Sequence, residues 1–475
     1  MDSGVDHKDH DQSKQIHQAP LVVTEVATNG LGHMHRGSRR LSERDLLSQL
    51  RTWLLEEYVA PYCRALASTR IFRHCYWIDA LDGATRAQLT ITPIENSNSS
   101  TTSTNGHRRK KGTPQALHEY PPILQPTIKL SRELALEGRP IALHSLFLTD
   151  GSSSTKRRGE SHARKDVAND PDPHLEAPLL LPNESAVLPQ SWLESAAQIL
   201  PAIEQSPAIF LLNPLAPILF TENDLTPLHR RATPTELCLF LSHKQILIHL
   251  QAASTSQILA GTLTALLRTD RWKTLVSADK GSSHAYPELY GDSVAGFIEL
   301  LSASLKRHFT FPVHAIPIPV LVGPATVENA PYTLLFATKR QDSLFSMNDA
   351  MCRYQRRLEE ESYRGVLGEE WFRTQQQNHY DQARQQLTQR ILSQGRSQRT
   401  RRWPDLRQQV LLTHFGQFLI QDYDATMQQF LLSGEVSCAW RKASQIEVTG
   451  GQAPSQPLAH LPRVPGNEDT LTWHL

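Results

Sequence analysis

The sequence has few cysteines, and no two of them form a CxxC pair. There are five in 475 residues, and they stand far apart, at Cys63, Cys75, Cys238, Cys352 and Cys438. An odd and dispersed set argues against a disulfide framework and against a zinc cluster built on paired cysteines. We therefore expect reduced thiols in a cytoplasmic protein.

Long apolar runs and an excess of one charge are also lacking. No apolar run approaches the roughly 20 residues that span a bilayer, so we expect no membrane partner. The N-terminal stretch MDSGVDHKDHDQSKQIHQ lacks the apolar core of a signal peptide. The formal net charge is +1, which excludes a global field that would attract nucleic acid or a membrane.

Several catalytic motifs are missing as well. The sequence contains no P-loop, no HExxH and no GxSxG, which argues against the nucleotide triphosphatases, zinc proteases and serine hydrolases that depend on them. Its 21 histidines are scattered without the spacing of metal ligands. We therefore expect no metal site.

Three segments of the chain are polar, one at the start of the sequence and two inside it. Residues 1–40 are rich in His, Asp, Gln and Gly, and they predict a disordered tail. Residues 95–118 and 151–173 are of low complexity or highly charged, and they predict disordered insertions on loops. The basic run RRKK at 108–111 is more typical of a solvated loop than of a phosphate contact.

The ordered part of the chain is organised around the stretch PAIFLLNPLAP at 207–217. The apolar run at 208–212 stops abruptly at Asn213, and it predicts a strand that is buried on both faces. Such strands belong to parallel sheets that are covered by helices on either side. Because ligands of open α/β sheets bind just beyond the carboxyl ends of the strands, Asn213 lies at a candidate site.

Two earlier strands end in an acidic residue. Aromatic and β-branched residues at 72–78 predict the first strand, which Asp79 and a tight turn at Gly83 follow. The stretch PIALHSLFLTD at 140–150 predicts a second strand that ends in Asp150. Both acids suit a ligand site at the strand ends, unless they only cap the helices that follow.

Strands alternate with helices over residues 41–365. This alternation predicts an α/β fold with a doubly wound, largely parallel sheet. The two strands that end in an acid and the Asn-Pro after a later strand follow the order expected of a Rossmann-like domain of the class I methyltransferase type. The first helix begins near Ser42 and carries apolar residues at helical spacing. We expect Pro61 to kink or break it.

The composition changes over residues 370–475, where Gln and Arg become dense. Three helices and a two-stranded wing are expected there, which is the pattern of a winged helix-turn-helix domain. The helices are expected at 382–392, 403–412 and 424–433, the first strand at 435–440, and the second at 445–448 or 471–474.

Over roughly residues 42–440 the chain resembles the three-Cys-motif partner proteins. FRHCYWIDALDG looks like the family's YIDAFAG stretch, and FLLNPLAP looks like its FIDPFG. The most specific likeness is YTLLFATKRQDSLFSMNDAM, which is similar to the family's Y.LIFATKHPKGLEVMKDAM. These proteins look like Rossmann-type methyltransferase domains that are commonly followed by a winged helix-turn-helix.

The resemblance implies S-adenosylmethionine as the cofactor. Asp150 would then hydrogen-bond the ribose, Asp79 would lie near the methionine end, and Gly83 would let the cofactor approach the backbone. The chain departs from the family at this turn, where LDGAT replaces FAGPG and the second glycine is missing. The aspartate of the family's DPFG is Asn213 here.

Asn213 is the candidate catalytic residue. An Asn-Pro after a strand resembles the Asn-Pro-Pro-aromatic motif of amino-group methyltransferases, in which the asparagine accepts a hydrogen bond from the target amine. No aromatic residue follows Leu215, so the side chain that would stack on a flipped base is missing from its expected place. In the alternative reading, Asn213 only makes a turn before proline.

The C-terminal region carries the candidate nucleic-acid contacts. The basic candidates are Arg396, Arg399, Arg401, Arg402 and Arg407. Gln428 and Gln429 lie on the expected recognition helix, and glutamine can pair with adenine in the major groove. That helix has no Arg or Lys, and Asp422 and Asp424 would repel phosphate. Contact with a protein is therefore an equal alternative.

Two hypotheses about function stay open. In the first, the protein is an S-adenosylmethionine-dependent methyltransferase, or a degenerate relative of one, that works on or with DNA or RNA. In the second, it is a non-enzymatic module that binds DNA or a protein through the winged helix, and the family's name implies a protein partner encoded nearby. An open cofactor pocket after Asp79 would favour the enzyme, and a pocket filled by Leu81, Asp82 or Arg86 would favour the module.

Overall fold

The structure is a computed structural model. It describes residues 43–81, 125–138, 140–148, 179–181, 185–188, 190–216, 218–277, 290–323, 326–399, 402–441 and 462–474. Several sequence predictions lie outside these residues, namely those for the tail at 1–40, the insertions at 95–118 and 151–173, the alternative strand at 445–448, and Asp82, Gly83, Arg86, Asp150 and Arg401.

A long helical segment enters the fold. Helix α1 (Glu43–Trp53) passes through a π-helical turn (Leu54–Val59) into helix α2 (Ala60–Thr69). Of the kink or break expected at Pro61, the break does not occur, since the chain stays helical through Pro61 in the first turn of α2. A proline is tolerated in a first turn, where its missing N–H is not needed for a helical hydrogen bond.

One eight-stranded sheet forms the centre of the fold. Its strands are β1 His74–Ala80, β2 Ala142–Leu148, β3 Leu179–Leu181, β4 Ser185–Leu188, β5 Ala208–Leu212, β6 Thr235–Ser242, β7 His314–Gly323 and β8 Thr326–Ala337. The order is β3-β4-β2-β1-β5-β6-β8-β7. Strands β4, β2, β1, β5 and β6 pair in parallel, whereas the pairs β3–β4, β6–β8 and β8–β7 are antiparallel. The predicted α/β class with a largely parallel sheet is confirmed.

Helices cover both faces of this sheet. They are α3 Gln125–Leu136, α4 Trp192–Ala202, α5 Glu222–Arg230, α6 His243–Ala253, α7 Gln257–Leu267, α8 Trp272–Ser277, α9 Tyr290–Lys306 and α10 Gln341–Tyr363. The side chains of alternate β5 residues point to opposite faces of the sheet. Ile209 and Leu211 pack in one apolar cluster with α1 to α3 and α10, and Phe210 and Leu212 pack in another with α4 to α7 and α9. The uninterrupted apolar run of β5 follows from burial on both sides.

The two edges of the sheet were not predicted from the sequence. Strand β3 has only three residues, too few to leave a periodic pattern. Strand β7 carries Pro317 and Pro319, and its pairing with β8 shifts register between them. Because proline cannot donate to a ladder, it argues against a strand except at an edge or a bulge, and β7 is such an edge.

Three helices and a two-stranded antiparallel sheet follow α10. They are α11 Glu369–Gln398, α12 Trp403–Thr413, α13 Ile420–Ser433, β9 Val436–Ala439 and β10 Thr470–Trp473. Of the two places suggested for the second strand, the one at 471–474 pairs with β9. Helix α11 spans 30 residues, far more than the predicted 382–392.

Helix α10 packs on both parts of the molecule. Met347, Met351 and Leu358 belong to the apolar cluster under the sheet. Phe345, two residues before Met347 and so on another side of the helix, packs against the cluster of the C-terminal helices. The polar side chains of α10 also reach those helices, since Gln341 Nε2 donates to Gln408 Oε1 at 2.7 Å. Helix α10 thus packs against the apolar cluster under the sheet and against the cluster of the C-terminal helices.

Candidate functional site

The carboxyl ends of β1 and β5 lie side by side in the sheet. Asp79 is level with Leu211, and Ala80 is level with Leu212. Asn213, just after β5, and Asp79, the second-last residue of β1, therefore lie at the same carboxyl ends of neighbouring strands. The sequence placed both residues at strand ends, and the structure brings these ends together.

The Asp79 carboxylate is held by the Arg51 guanidinium. Arg51 Nε donates to Oδ2 at 2.5 Å, and Arg51 Nη2 donates to Oδ1 at 3.0 Å. The backbone N–H of Leu81 also donates to Oδ1, at 3.2 Å, and Nη2 of Arg51 donates to the Leu81 carbonyl at 3.2 Å. The side chains are 3% and 0% exposed, so this is a fully buried bidentate pair, the geometry in which arginine binds a carboxylate most strongly.

The sequence reasoning missed Arg51, although the sequence contains a signal. Arg51 stands four residues after Leu47 and four before Leu55, and both leucines are buried. Residues four apart share a face of a helix, so Arg51 is a cation on the apolar face. Since a charge is almost never fully buried without a partner, that position predicts a buried acid opposite it.

Asn213 shapes the loop after β5. Its Oδ1 accepts from the Leu215 N–H at 3.0 Å, which makes an Asx turn. Its Nδ2 donates to Gln245 Oε1 at 3.3 Å, and the ring Nε2 of His249 lies 2.7 Å from the Leu215 carbonyl. Oδ1 is thus engaged within the loop, and Nδ2 ties the loop to α6. The catalytic role of Asn213 stays a prediction, and it would require at least one of these contacts to open.

The described residues at this edge can be compared with the needs of S-adenosylmethionine. Asp79 is the residue expected near the methionine end, but its carboxylate has no exposed surface, and both oxygens accept from Arg51. Leu81, two residues after Asp79, is 1% exposed and packs in the core. These residues do not fit the cofactor in the expected way.

Three of the expected nucleic-acid contacts make bonds within the C-terminal region. Arg407 Nη1 donates to both carboxylate oxygens of Asp424, at 2.7 and 2.9 Å. Gln428 Nε2 donates to the Pro462 carbonyl at 2.8 Å. Arg396 Nε donates to a backbone carbonyl near the C-terminus at 2.7 Å. The Arg407 pair joins α12 to α13, and the Arg396 bond joins α11 to the end of β10.

The other described candidates lie on the surface. Arg399 and Arg402 are exposed at the junction of α11 and α12, and Gln429 is exposed on α13. Two large apolar side chains are exposed on or just after the same elements. Leu432 of α13 is 61% exposed, and Trp440, which follows β9, is 39% exposed.

Comparison with protein-family models, curated proteins and solved structures gives no match for this chain. Function must therefore be inferred from the geometry of the described residues. Within that part of the chain, no helix is both long and apolar enough to cross a membrane. The same residues contain no group of three or more His, Cys, Asp or Glu side chains placed to hold a metal ion.

Proposed function

We propose that this chain is a methyltransferase-type protein, related to the three-Cys-motif partner proteins, that does not use the cofactor and serves as a binding module. The observation that carries the proposal is the buried pair of Arg51 and Asp79 at the carboxyl end of β1. Removing one partner of such a pair costs about 3–5 kcal/mol. A ligand bound at 1 μM gains about 8 kcal/mol in total, so a cofactor that had to displace Arg51 would lose roughly half of its binding free energy.

The order of the strands supports the methyltransferase-type part of the proposal. Without the short strand β3, the order β4-β2-β1-β5-β6-β8-β7 reads 3-2-1-4-5-7-6. The order reverses between β1 and β5, which is the switch point where Rossmann-like folds bind their ligands. Methyltransferase-type sheets share this order, with the seventh strand reversed, as β8 is here. Arg51 thus pairs with Asp79 at the place where a cofactor would be expected.

The C-terminal region supports binding of a protein partner. The three helices and the antiparallel pair β9–β10 suit a winged helix, in which α13 would be the recognition helix. This helix has no Lys or Arg, and Asp422 and Asp424 are paired with Arg356 and Arg407. Its exposed Leu432, near the exposed wing residue Trp440 in the chain, suits contact with an apolar protein surface better than contact with phosphate.

Calorimetric titration with S-adenosylmethionine and S-adenosylhomocysteine tests the absence of cofactor binding. We expect no heat of binding at millimolar ligand, with a cooperative thermal transition as the control for folding. Micromolar binding that disappears in Asp150→Ala would overturn the proposal and establish a working cofactor site.

Titration with duplex DNA over a range of salt concentrations tests the choice of partner. Each phosphate contact adds about 0.9 to the slope of log K against log salt. We expect the double variant Arg399→Ala/Arg402→Ala to bind DNA as weakly as the wild type and as the control Arg271→Ala, whose side chain is exposed before α8. A slope that falls by about two in the double variant alone would assign nucleic acid as the partner instead.

A further inference from the structure

Helices α6 and α7 form a surface hairpin that carries no formal charge. Residues 245–267, which include most of α6 and all of α7, contain no Asp, Glu, Lys or Arg. Charged side chains normally make up a large part of a protein surface, so a stretch without them would be expected in the core. The hairpin is nevertheless exposed, since Ile248 of α6 is 50% and Ile258 of α7 is 82% accessible to solvent.

One side of α7 points away from the core and is uneven in shape. Gly261, Thr262 and Ala265 follow Ile258 by three, four and seven positions, so all four lie on that side. The opposite side packs in the apolar cluster of α4 to α7 and α9. Nothing lies within 4 Å of a Cβ built at Gly261, and Ala265 is exposed. The outer side thus projects at Ile258 and is low at Gly261 and Ala265.

The hydroxyl groups on and beside this side of α7 donate to the backbone of the hairpin itself. Thr262 Oγ1 donates to the Ile258 carbonyl at 3.1 Å. Ser254 Oγ and Thr255 Oγ1, in the turn between the helices, donate to carbonyls of α6 at 2.7 and 3.1 Å. A partner that covers these three hydroxyls therefore leaves none of their donors unpaired, which removes a usual cost of burial.

A second copy of α7 fits this side when the two helices pack antiparallel. With a two-fold axis between Gly261 and Thr262, Ile258 of one copy faces Ala265 of the other, and Gly261 faces Thr262. Large side chains then meet small ones on both sides of the axis, which allows the helix axes to approach to about 8 Å. In a two-fold contact a surface meets itself, so charges would meet like charges, and this surface has none.

We propose that the charge-free face of α6 and α7 is the interface between two copies of this chain, centred between Gly261 and Thr262. The inference is independent of the proposed function, because it concerns neither Asp79 nor the C-terminal region. Depletion of charge is typical of the cores of protein interfaces. Two helices of 11 residues are each about 16 Å long, so the contact is small, and we expect a dissociation constant in the micromolar range.

Sedimentation velocity of the full chain over a concentration series tests the interface. We expect the wild type to be a dimer that dissociates on dilution. Ile258→Asp places a carboxylate of each copy in the contact, where it loses water without gaining a partner, so we expect a dissociation constant at least about tenfold higher. The matched control is Ile71→Asp, whose side chain is 74% exposed between α2 and β1, and this variant should dimerise like the wild type.

Gly261→Leu is a second variant, chosen because it should not harm the monomer. The space around Gly261 is open, and leucine is a better helix former than glycine. The added side chain would occupy the low part of the face and meet Thr262 of the second copy, so we expect at least about tenfold weaker dimerisation. Thermal unfolding of the variants shows whether each one folds.

Cysteine cross-linking tests the position of the two-fold axis. Thr262→Cys places a thiol of each copy beside the axis, so mild oxidation should join the copies by a disulfide. The wild type is the control for its own half-buried Cys438, and Ile71→Cys is the control for random collision. The absence of a cross-link would contradict antiparallel packing about this axis.

Sedimentation distinguishes this interface from other modes of association. A dimer that is weakened by Ile258→Asp or Gly261→Leu, but not by Ile71→Asp, supports the proposal. A wild type that stays monomeric at all concentrations would overturn it and leave this face to a different protein. A dimer that neither substitution weakens would also overturn it, because the copies would then meet elsewhere. If Ile258→Asp does not fold, Gly261→Leu decides by the same criterion.

Discussion

Asn348 of α10 holds the backbone of Gly416 in the turn between α12 and α13. Its Oδ1 accepts from the Gly416 N–H at 2.8 Å, and its Nδ2 donates to the Phe418 carbonyl at 2.8 Å. Gly416 has a φ of +77°, and a Cβ at this position would lie 2.7 Å from Cγ of Met351. One buried amide and one glycine thus fix how the C-terminal helices dock on α10.

Asn348→Ala should leave two buried backbone groups without partners. Each group costs about 1–3 kcal/mol, so we expect a clear loss in the free energy of unfolding and faster hydrogen exchange at Gly416. The matched control is Gln417→Ala, whose exposed side chain lies in the same turn and whose loss should stay within about 0.5 kcal/mol. Equal effects of the two substitutions would contradict the assigned role.

Arg51→Met should destabilise the fold strongly, because it leaves the Asp79 carboxylate buried without its cation. The expected loss is about 3–5 kcal/mol in urea unfolding. Arg64→Met is the control, since Arg64 makes a partly exposed pair with Glu137 at 2.8 Å, and such pairs contribute at most about 1 kcal/mol.

The double variant Arg51→Met/Asp79→Leu should recover much of that loss. Replacing a whole buried pair with apolar residues is often neutral, whereas breaking it is not. If the double variant were as unstable as the sum of both single variants, the energetic coupling between Arg51 and Asp79 would be absent.

Glu236 makes the stability depend on pH. It is completely buried, Ser343 Oγ donates to its Oε1 at 2.9 Å, and its Oε2 has no hydrogen bond. Burial raises the pKa of this carboxyl from 4.5 to about 7. The pKa of Glu236 is higher in the folded than in the unfolded protein. Its contribution to the free energy of unfolding is therefore complete below about pH 4.5 and is lost as the pH rises through about 7.

Glu236→Gln should therefore gain stability over the wild type as the pH rises. We expect the difference in unfolding free energy to grow by roughly 2–3 kcal/mol between pH 5 and pH 8. Denaturant unfolding at a series of pH values measures it, and the difference between the two proteins removes the contribution of the histidines. A difference that does not vary with pH would show that Glu236 is ionised throughout.

Gly395→Ala should separate α11 from the C-terminal strand. A Cβ at this position would overlap the ring of Trp473, and overpacking of this kind costs about 1–3 kcal/mol. Gly261→Ala is the control, because Gly261 lies inside α7 with nothing within 4 Å of a Cβ, so alanine should raise the stability by up to about 1 kcal/mol. Thermal unfolding should show opposite shifts for the two substitutions.

The sequence predicted the centre of the fold better than its edges. Strands β1 and β5 have apolar residues that pack on both faces of the sheet, and their composition alone indicates them. Strand β7 was not predicted because its prolines argue against a strand in the interior of a sheet. Helix α11 was underestimated because few of its residues are buried, so no apolar periodicity extends along its 30 residues.

The candidate residues at strand ends were predictable, but their partners were not. The rule that ligands meet parallel strands at their carboxyl ends indicated Asp79 and Asn213. Arg51 was missed because it lies far in sequence from Asp79. It is a charged residue on the buried face of a helix, and such a position is a usable sign of a buried pair.

The prolines of β7 also limit how copies of this protein can associate. An edge strand offers unpaired N–H and C=O groups on which another chain can add a strand, and this is a common route to aggregation. Pro317 and Pro319 have no N–H to offer, and the register shift between them disturbs the edge further. At the other end of the sheet, three-residue β3 gives an incoming strand little length to pair with. The two prolines, which make β7 hard to predict as a strand, thus also disfavour edge-to-edge polymerisation of the sheet.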